Sequence, residues 1–408
     1  MKKRLSLFLC LCLMFPLLLC RASAQETAVQ VENPGYYQRF QGQNISINVY
    51  NWGEYISDGS DDSLNVNQAF EELTGIKVVY STFASNEELY AKLKGGGVKY
   101  DVIIPSDYMI ARMIAEDMLE ELNLRNIPNF SKIGEKFQYP QYDPQNRYSV
   151  PYTWGTVGII YNKEYVDEED AKSWDILWDE RYLGNILMFS NSRDSFGIAL
   201  KKLGYSFNTT NKEEIREAAQ ALKEQKPLVQ AYVMDEIFDK MQGEEAVLAP
   251  YYAGDAITMM ENNENLGFAV PKEGTNIFTD AACIPKGAKQ KEAAEMYLNF
   301  LLESQVAAAN CDYIGYSTPQ DEALQLLEQE VRENPVAYPA DEVLDKAEAF
   351  LYLPQSVNDL YDKLWTETLS TDQRYNAWFI PILLLVCVAA SITITVVRSV
   401  KKRRQSGY

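Results

Sequence analysis

Ile45-Ser46-Ile47-Asn48-Val49-Tyr50, Ile76-Lys77-Val78-Val79-Tyr80 and Tyr100-Asp101-Val102-Ile103-Ile104-Pro105 follow one another in the first part of the chain, and what separates them decides the fold. Between the first two runs, residues 65–73 carry apolar residues at helical spacing and stop at Gly75. Between the second and third, residues 86–94 read as a helix terminated by Gly95-Gly96-Gly97; the Lys-Ser/Thr of a phosphate loop is missing there. The third run is continuously apolar and ends at Pro105, as expected of a strand buried on both faces. Strands alternating with helices in this order predict a parallel sheet and an α/β fold.

Outward from this core the pattern restarts after Pro151. Strands are expected at 156–161, 186–189, 246–250, 267–270 and 279–284, and helical segments at 174–179, 195–202, 212–224, 291–303, 321–330 and 357–369. Two sheets are implied. No internal repeat or low-complexity linker separates independent domains, so the chain reads as two lobes crossed by connecting segments, with a cleft where they meet.

Both ends of the 408-residue chain read differently from this body. Lys2, Lys3 and Arg4, an apolar run at 5–19 and Ala22-Ser23-Ala24 before Gln25 have the plan of a cleaved secretory signal over residues 1–24. A lipid site at Cys20 fits less well, because Leu18 and Leu19 precede it, and an uncleaved anchor would be short. Residues 377–397 contain no charge, begin beside Trp378 and Phe379, and are followed by Arg398, Lys401, Lys402, Arg403 and Arg404. This predicts one C-terminal transmembrane helix with the body outside and a basic cytoplasmic tail at 398–408.

Of the 38 Lys and Arg, nine lie in those two ends, leaving 29 in the body against 58 Asp and Glu. So acidic a body repels nucleic acid and anionic headgroups and attracts cations. The chain has no histidine, which removes Ser-His-Asp and Cys-His catalysis and the usual zinc sites. Acidic runs at 58–62 and 166–170 lack calcium-loop spacing, and no cofactor is implied. Two cysteines fall in the body, Cys283 and Cys311; a disulfide is open to them, but a body this large does not need one, and free thiols are expected. A cationic ligand would suit such a body if carboxylates and aromatic faces met in the cleft. The 27 tyrosines and six tryptophans make that available, although any single one, Trp154 or Trp174 for instance, reads first as a core aromatic.

Several ordered segments sharpen this: Asn51-Trp52-Gly53-Glu54-Tyr55, Thr74-Gly75-Ile76-Lys77-Val78, Tyr80-Ser81-Thr82-Phe83-Ala84-Ser85-Asn86-Glu87 and Tyr100-Asp101-Val102-Ile103-Ile104-Pro105-Ser106. Further on come Pro151-Tyr152-Thr153-Trp154-Gly155, Leu203-Gly204-Tyr205-Ser206, Pro271-Lys272-Glu273-Gly274 and Ile314-Gly315-Tyr316-Ser317-Thr318-Pro319. In them the sequence resembles the spermidine/putrescine-binding proteins of bacterial polyamine ABC transporters, over about residues 45–369. The resemblance implies a type II, two-lobed periplasmic-binding-protein fold with a hinge. Its lobes would comprise 44–156 with 278–324, and 157–277 with 325–371. The partners it implies are a polyamine and the transporter's permease and ATPase. The implied place is the outer face of the cytoplasmic membrane.

Carried over by position, the resemblance puts Trp52, Tyr55, Ser106 and Tyr108 at the ligand in the first lobe, where strands end. Asn191 and Asp194 stand where the family has two acidic residues, so one carboxylate has become an amide. Asp280 matches the central carboxylate, Tyr252 and Phe278 replace frequent tryptophans, and Tyr316 matches directly. Thr366 falls where a glutamine reaches the ligand, and Asp235 lies in a looser stretch and receives no role. Competing readings are a receptor for another solute, a hydrolase with paired carboxylates and a sensor. Asp194 and Asp280 disfavour anionic solutes, nothing beyond abundant acidic residues favours the hydrolase, and the short tail leaves no room for a signalling domain.

Overall fold

A computed structural model describes residues 29–97 and 99–370. The leader at 1–24, the predicted span at 377–397 and the tail lie outside the described residues. Among the described residues, no helix is long and apolar enough to cross a membrane.

The first half is the expected alternation. Strand β1 (Ser46–Trp52) pairs in parallel with β2 (Lys77–Phe83) on one side and β3 (Val102–Ile103) on the other. Helix α1 (Val66–Thr74) starts with Asn65 accepting the Gln68 N–H and ends at Gly75 in the left-handed region, with φ 73. Helix α2 (Asn86–Gly95) is capped by Ser85, and α3 (Asp107–Ala115) follows β3 after Pro105. Residues 107–115 were not predicted as a helix.

The second half departs from expectation in one way that matters. The strand predicted at 156–161 is the end of a 14-residue strand, β4 (Ser149–Asn162), buried along its whole length. Pro151 marks no restart: it sits where the pairing register of β4 slips between Pro151 and Thr153, so its missing N–H costs no ladder bond. From 149 to 156, β4 pairs antiparallel with β9 (Ile277–Cys283); from 157 onward it pairs with β7 (Leu248–Tyr252) and β8 (Leu266–Ala269). β5 (Ile186–Phe189) and β6 (Val229–Val233) complete the order β2-β1-β3-β9-β4-β7-β5-β6. The two expected sheets are thus hydrogen-bonded into one through β4. Helices α4 (Ser192–Lys202), α5 (Lys212–Gln225) and α9 (Gln355–Ser370) pack together beside β5. Helices α6 (Ala253–Asn262), α7 (Lys291–Leu301) and α8 (Ser304–Ile314) follow β7 and β9.

Of the tryptophans near loops, Trp174 is fully buried and donates to the Gly274 carbonyl, and Trp154 is buried and donates to the Thr318 carbonyl. Both are core residues. Cys283 and Cys311 are buried and free.

The entry to β4 is fixed by one carboxylate. Asp143, 2% exposed, accepts the N–H groups of Arg147 (3.0 Å), Tyr148 (2.8 Å) and Ser149 (3.0 Å), and the Ser149 hydroxyl (2.9 Å). Asp143→Ala leaves the two Ser149 donors buried without an acceptor and frees the half-buried N–H groups of Arg147 and Tyr148, and denaturant unfolding is expected to show a loss of about 3 kcal/mol. A change below about 0.5 kcal/mol would show that β4 is held by its ladder alone.

Candidate functional site

Strand ends and helix starts converge on a narrow cavity between the β1–β3 side and the β5–β7 side. About 50 Å³ of it is open to the centre of a water molecule. Nine of the eleven predicted residues line it: Trp52, Tyr55, Ser106, Tyr108, Asp194, Tyr252, Phe278, Asp280 and Tyr316.

Asp280 is the centre of the arrangement. On β9 the alternation of side chains puts Phe278 and Asp280 on one face, opposite Gly155 and Thr153 of β4. A Cβ on Gly155 would stand 2.9 Å from the Phe278 ring, so the ring lies flat over the strand only because that residue is glycine. Tyr55 donates to Asp280 Oδ2 at 2.6 Å and also contacts the Thr153 hydroxyl. The Tyr55 backbone is held in turn by Tyr152, whose hydroxyl donates to the Tyr55 carbonyl at 2.8 Å. Asp280 Oδ1 is buried and has no hydrogen-bond partner among the described residues. Burial pushes the Asp280 carboxyl up to about 6, against the lowering effect of the Tyr55 and Ser106 hydroxyls.

The aromatic walls are joined edge to face: Tyr55 with Tyr316 at 4.6 Å, Tyr252 with Phe278 at 5.5 Å, and Phe278 with Tyr316 at 6.2 Å between centroids. Tyr316 follows Gly315, which ends α8 with φ 74. Its ring lies against Gly254 at the start of α6, where a Cβ would come within 2.2 Å of it. Trp52 packs on Phe83 at 4.6 Å, and its buried indole N–H has no partner among the described residues.

Two predicted residues are not brought to the cavity. Asn191 caps α4, accepting the Asp194 N–H at 2.9 Å, so its amide is committed to the helix start; its Nδ2 lies 3.6 Å from Met234 Sδ. Thr366 is exposed on α9, and its hydroxyl donates to the Asp362 carbonyl one turn back.

The cavity also contains three carboxylates to which sequence reasoning assigned no role: Asp107, Asp235 and Asp255. Asp255, in the first turn of α6, follows Tyr252 by three residues, the same helix-start placement that drew attention to Asp194. Burial holds it well above the usual carboxylate range, against the Tyr316 hydroxyl, with Asp235, Glu54 and Asp280 adding to the rise. Asp235 approaches from the opposite side of the cleft so closely that a Cβ on Gly53 would meet its Oδ2 at 2.1 Å. Burial raises Asp194 as well, while Tyr252 donates to its Oδ2 at 2.9 Å. Five aspartates therefore surround one cavity, and among the described residues no Lys or Arg lines it. The nearby Arg193 instead lies 4.5 Å over the Phe350 ring and donates to Asn208 and the Leu351 carbonyl. Among the described residues no cluster is arranged to hold a metal ion.

Residues 98–347 match the family of bacterial extracellular solute-binding proteins. The chain is 37% identical to the spermidine/putrescine-binding periplasmic protein of Escherichia coli K12 over 306 residues, 75% of this chain and 86% of that one. A solved Listeria monocytogenes structure assigned to spermidine/putrescine ABC transport superposes with a TM-score of 0.76 at 36% identity, over 80% of this chain and 99% of that one. The spermidine/putrescine ABC transporter substrate-binding protein PotD of Streptococcus pneumoniae gives 0.67 at 37% identity, over 80% and 98%. The chain belongs to the bacterial extracellular solute-binding proteins, in the group of the spermidine/putrescine-binding proteins. This is a family of binding subunits and not of enzymes, and it carries the periplasmic-binding-protein fold.

A carboxyl raised by folding stabilises the folded state at low pH and loses that contribution as pH rises from its unfolded value through its folded one. For Asp280 that window runs from about 4 to about 6. Above it, Asp280→Asn is expected to raise the unfolding midpoint of the ligand-free protein by about 1–3 °C, measured by calorimetry at pH 8. A lower midpoint in the variant would mean that the charge is already compensated.

Proposed function

We propose that this chain is the extracytoplasmic substrate-binding subunit of a polyamine ABC transporter, which captures spermidine or putrescine between its lobes and delivers it to the permease and its ATPase. The observation that carries this reading is the buried Oδ1 of Asp280, which has no partner among the described residues, inside a cavity that five aspartates and no described Lys or Arg line. An anion would meet only repulsion there. A linear ammonium compound supplies what the site lacks: positive charge for Asp280 and Asp194, with Asp255 and Asp235 lining the same cavity. Its methylenes rest on Trp52, Tyr252, Phe278 and Tyr316, whose faces also favour a cation. Relatives named for spermidine and putrescine agree with this.

The lobes of this reading are 44–156 with 278–324, and 157–277 with 325–371, and β4 and β9 are the strands that join them. The exchange of partners along β4 near Thr156 and Val157 supports a hinge there. Residues 1–24 act as the export signal. Residues 377–397, uncharged and followed by five basic residues, anchor the body to the outer face of the membrane and keep it at high local concentration near the permease.

Calorimetric titration of the folded protein with putrescine and with spermidine is expected to give saturable binding, weakened on the order of 100-fold by Asp280→Asn. Folded protein that takes up neither amine would end the polyamine reading. For the anchor, deletion of residues 377–408 is expected to move the protein from the membrane fraction to the soluble fraction; retention in the membrane would place the anchor elsewhere.

A further inference from the structure

Asp107 is only 3% exposed and begins α3. Its Oδ1 accepts the Tyr108 N–H at 2.7 Å and its Oδ2 accepts the Thr279 N–H at 3.3 Å. Thr279 immediately precedes Asp280, and Ser106, on the other side of Asp107, forms an isolated β-bridge with Asp280. One carboxyl group thereby ties the strand carrying the ligand carboxylate to the helix start beside it. It also stands in the wall between the ligand cavity and a second cavity of about 600 Å³.

Building on the polyamine reading, we infer that Asp107 is a positioning residue for Asp280 and the group that surrenders a proton to solvent when the cation enters. Carboxyl groups buried in one cavity that no Lys or Arg lines among the described residues resist full ionisation, so the empty site keeps at least one proton. Burial raises Asp107 to about 8; the Tyr108 N–H opposes this, Asp280 adds to it, and the Thr279 N–H and Arg193 oppose it. Asp280 is supported by the Tyr55 hydroxyl on its Oδ2 and is raised less, to about 6, whereas Asp107 receives only backbone N–H groups and is the one of the two that keeps a proton. The other groups facing it leave that assignment intact. Arg193 on α4 directs its donors to Asn208 and the Leu351 carbonyl, and Lys136, across the larger cavity, lies over the Phe137 and Trp154 rings. Tyr108 on the same helix and Tyr142 are themselves held well above the ordinary tyrosine range and stay neutral. An arriving ammonium group replaces the proton's charge. The Asp107 O–H bond then breaks, its electron pair stays on the carboxylate, and the proton passes to the buffer.

The test is calorimetric titration of the full-length protein with putrescine at pH 7, in two buffers of different ionisation enthalpy, beside Asp107→Asn. Asparagine keeps an acceptor for the backbone N–H groups but cannot titrate. Asp194, Asp235, Asp255 and the ligand's own amines are common to both proteins and cancel. The wild type is expected to release close to one proton more per ligand than the variant. That difference should shrink at pH 8.5. The wild-type affinity should rise with pH by up to about tenfold per unit between about pH 6 and pH 8, a slope reduced in the variant. Equal proton release in the two proteins overturns the inference while leaving polyamine binding intact. If the variant does not fold, the wild type decides alone, since binding heat identical in both buffers at pH 7 overturns it too. Folded wild type that binds no putrescine rejects the parent reading with it.

Discussion

The structure is organised around carboxylates that have been taken out of water without a cation beside them. Burying one ionised carboxylate is costly, and an isolated one tends to neutralise itself. Here five aspartates line one narrow cavity, and the molecule lowers the cost by two means. Asp107, Asp194 and Asp255 each lie in the first turn of a helix, where the backbone dipole and free N–H groups favour negative charge. Tyrosine hydroxyls support Asp280 and Asp194. What these leave uncompensated is Asp280 Oδ1, and it is the position at which a bound cation would contribute most.

The fold serves this arrangement because it delivers side chains from both directions to one point. β1 and β3 end beside Trp52 and Ser106, β7 ends at Tyr252, and β9 passes through the middle with Asp280. The long strand β4 carries the chain from one side to the other and supplies Thr153 and Gly155 opposite Asp280 and Phe278. Close approach across the cleft depends on two residues without side chains: Gly53 leaves room for the Asp235 carboxylate, and Gly254 for the Tyr316 ring.

How much of this could be read in advance follows from the kind of signal each residue carries. The β1–β3 alternation was legible because apolar runs and glycine stops are local, Tyr316 because it falls in an ordered matching segment, and Asp280 because its position matches the family's central carboxylate. β4 was cut short because Pro151 reads as a break unless the register slip opposite it is known. Helices α6 and α8 escaped because they open after Tyr252 and Glu303, which carry no capping signature, and α3 although Ser106 stands at its N-cap. Asp107 and Asp255 went with them, since a carboxylate's importance there comes from a burial that no local pattern announces. Asn191 and Thr366 show the converse: position in a matching segment does not decide whether a side chain points at the cavity or is spent on its own helix.

If Asp280 awaits a cation, a crystal structure of the protein with putrescine or spermidine will show where that cation sits. An ammonium nitrogen is expected about 3 Å from Asp280 Oδ1, with the methylene chain between Trp52, Tyr252 and Phe278. A polyamine bound elsewhere, or in the cavity with Oδ1 still unpaired, would contradict that role of Asp280.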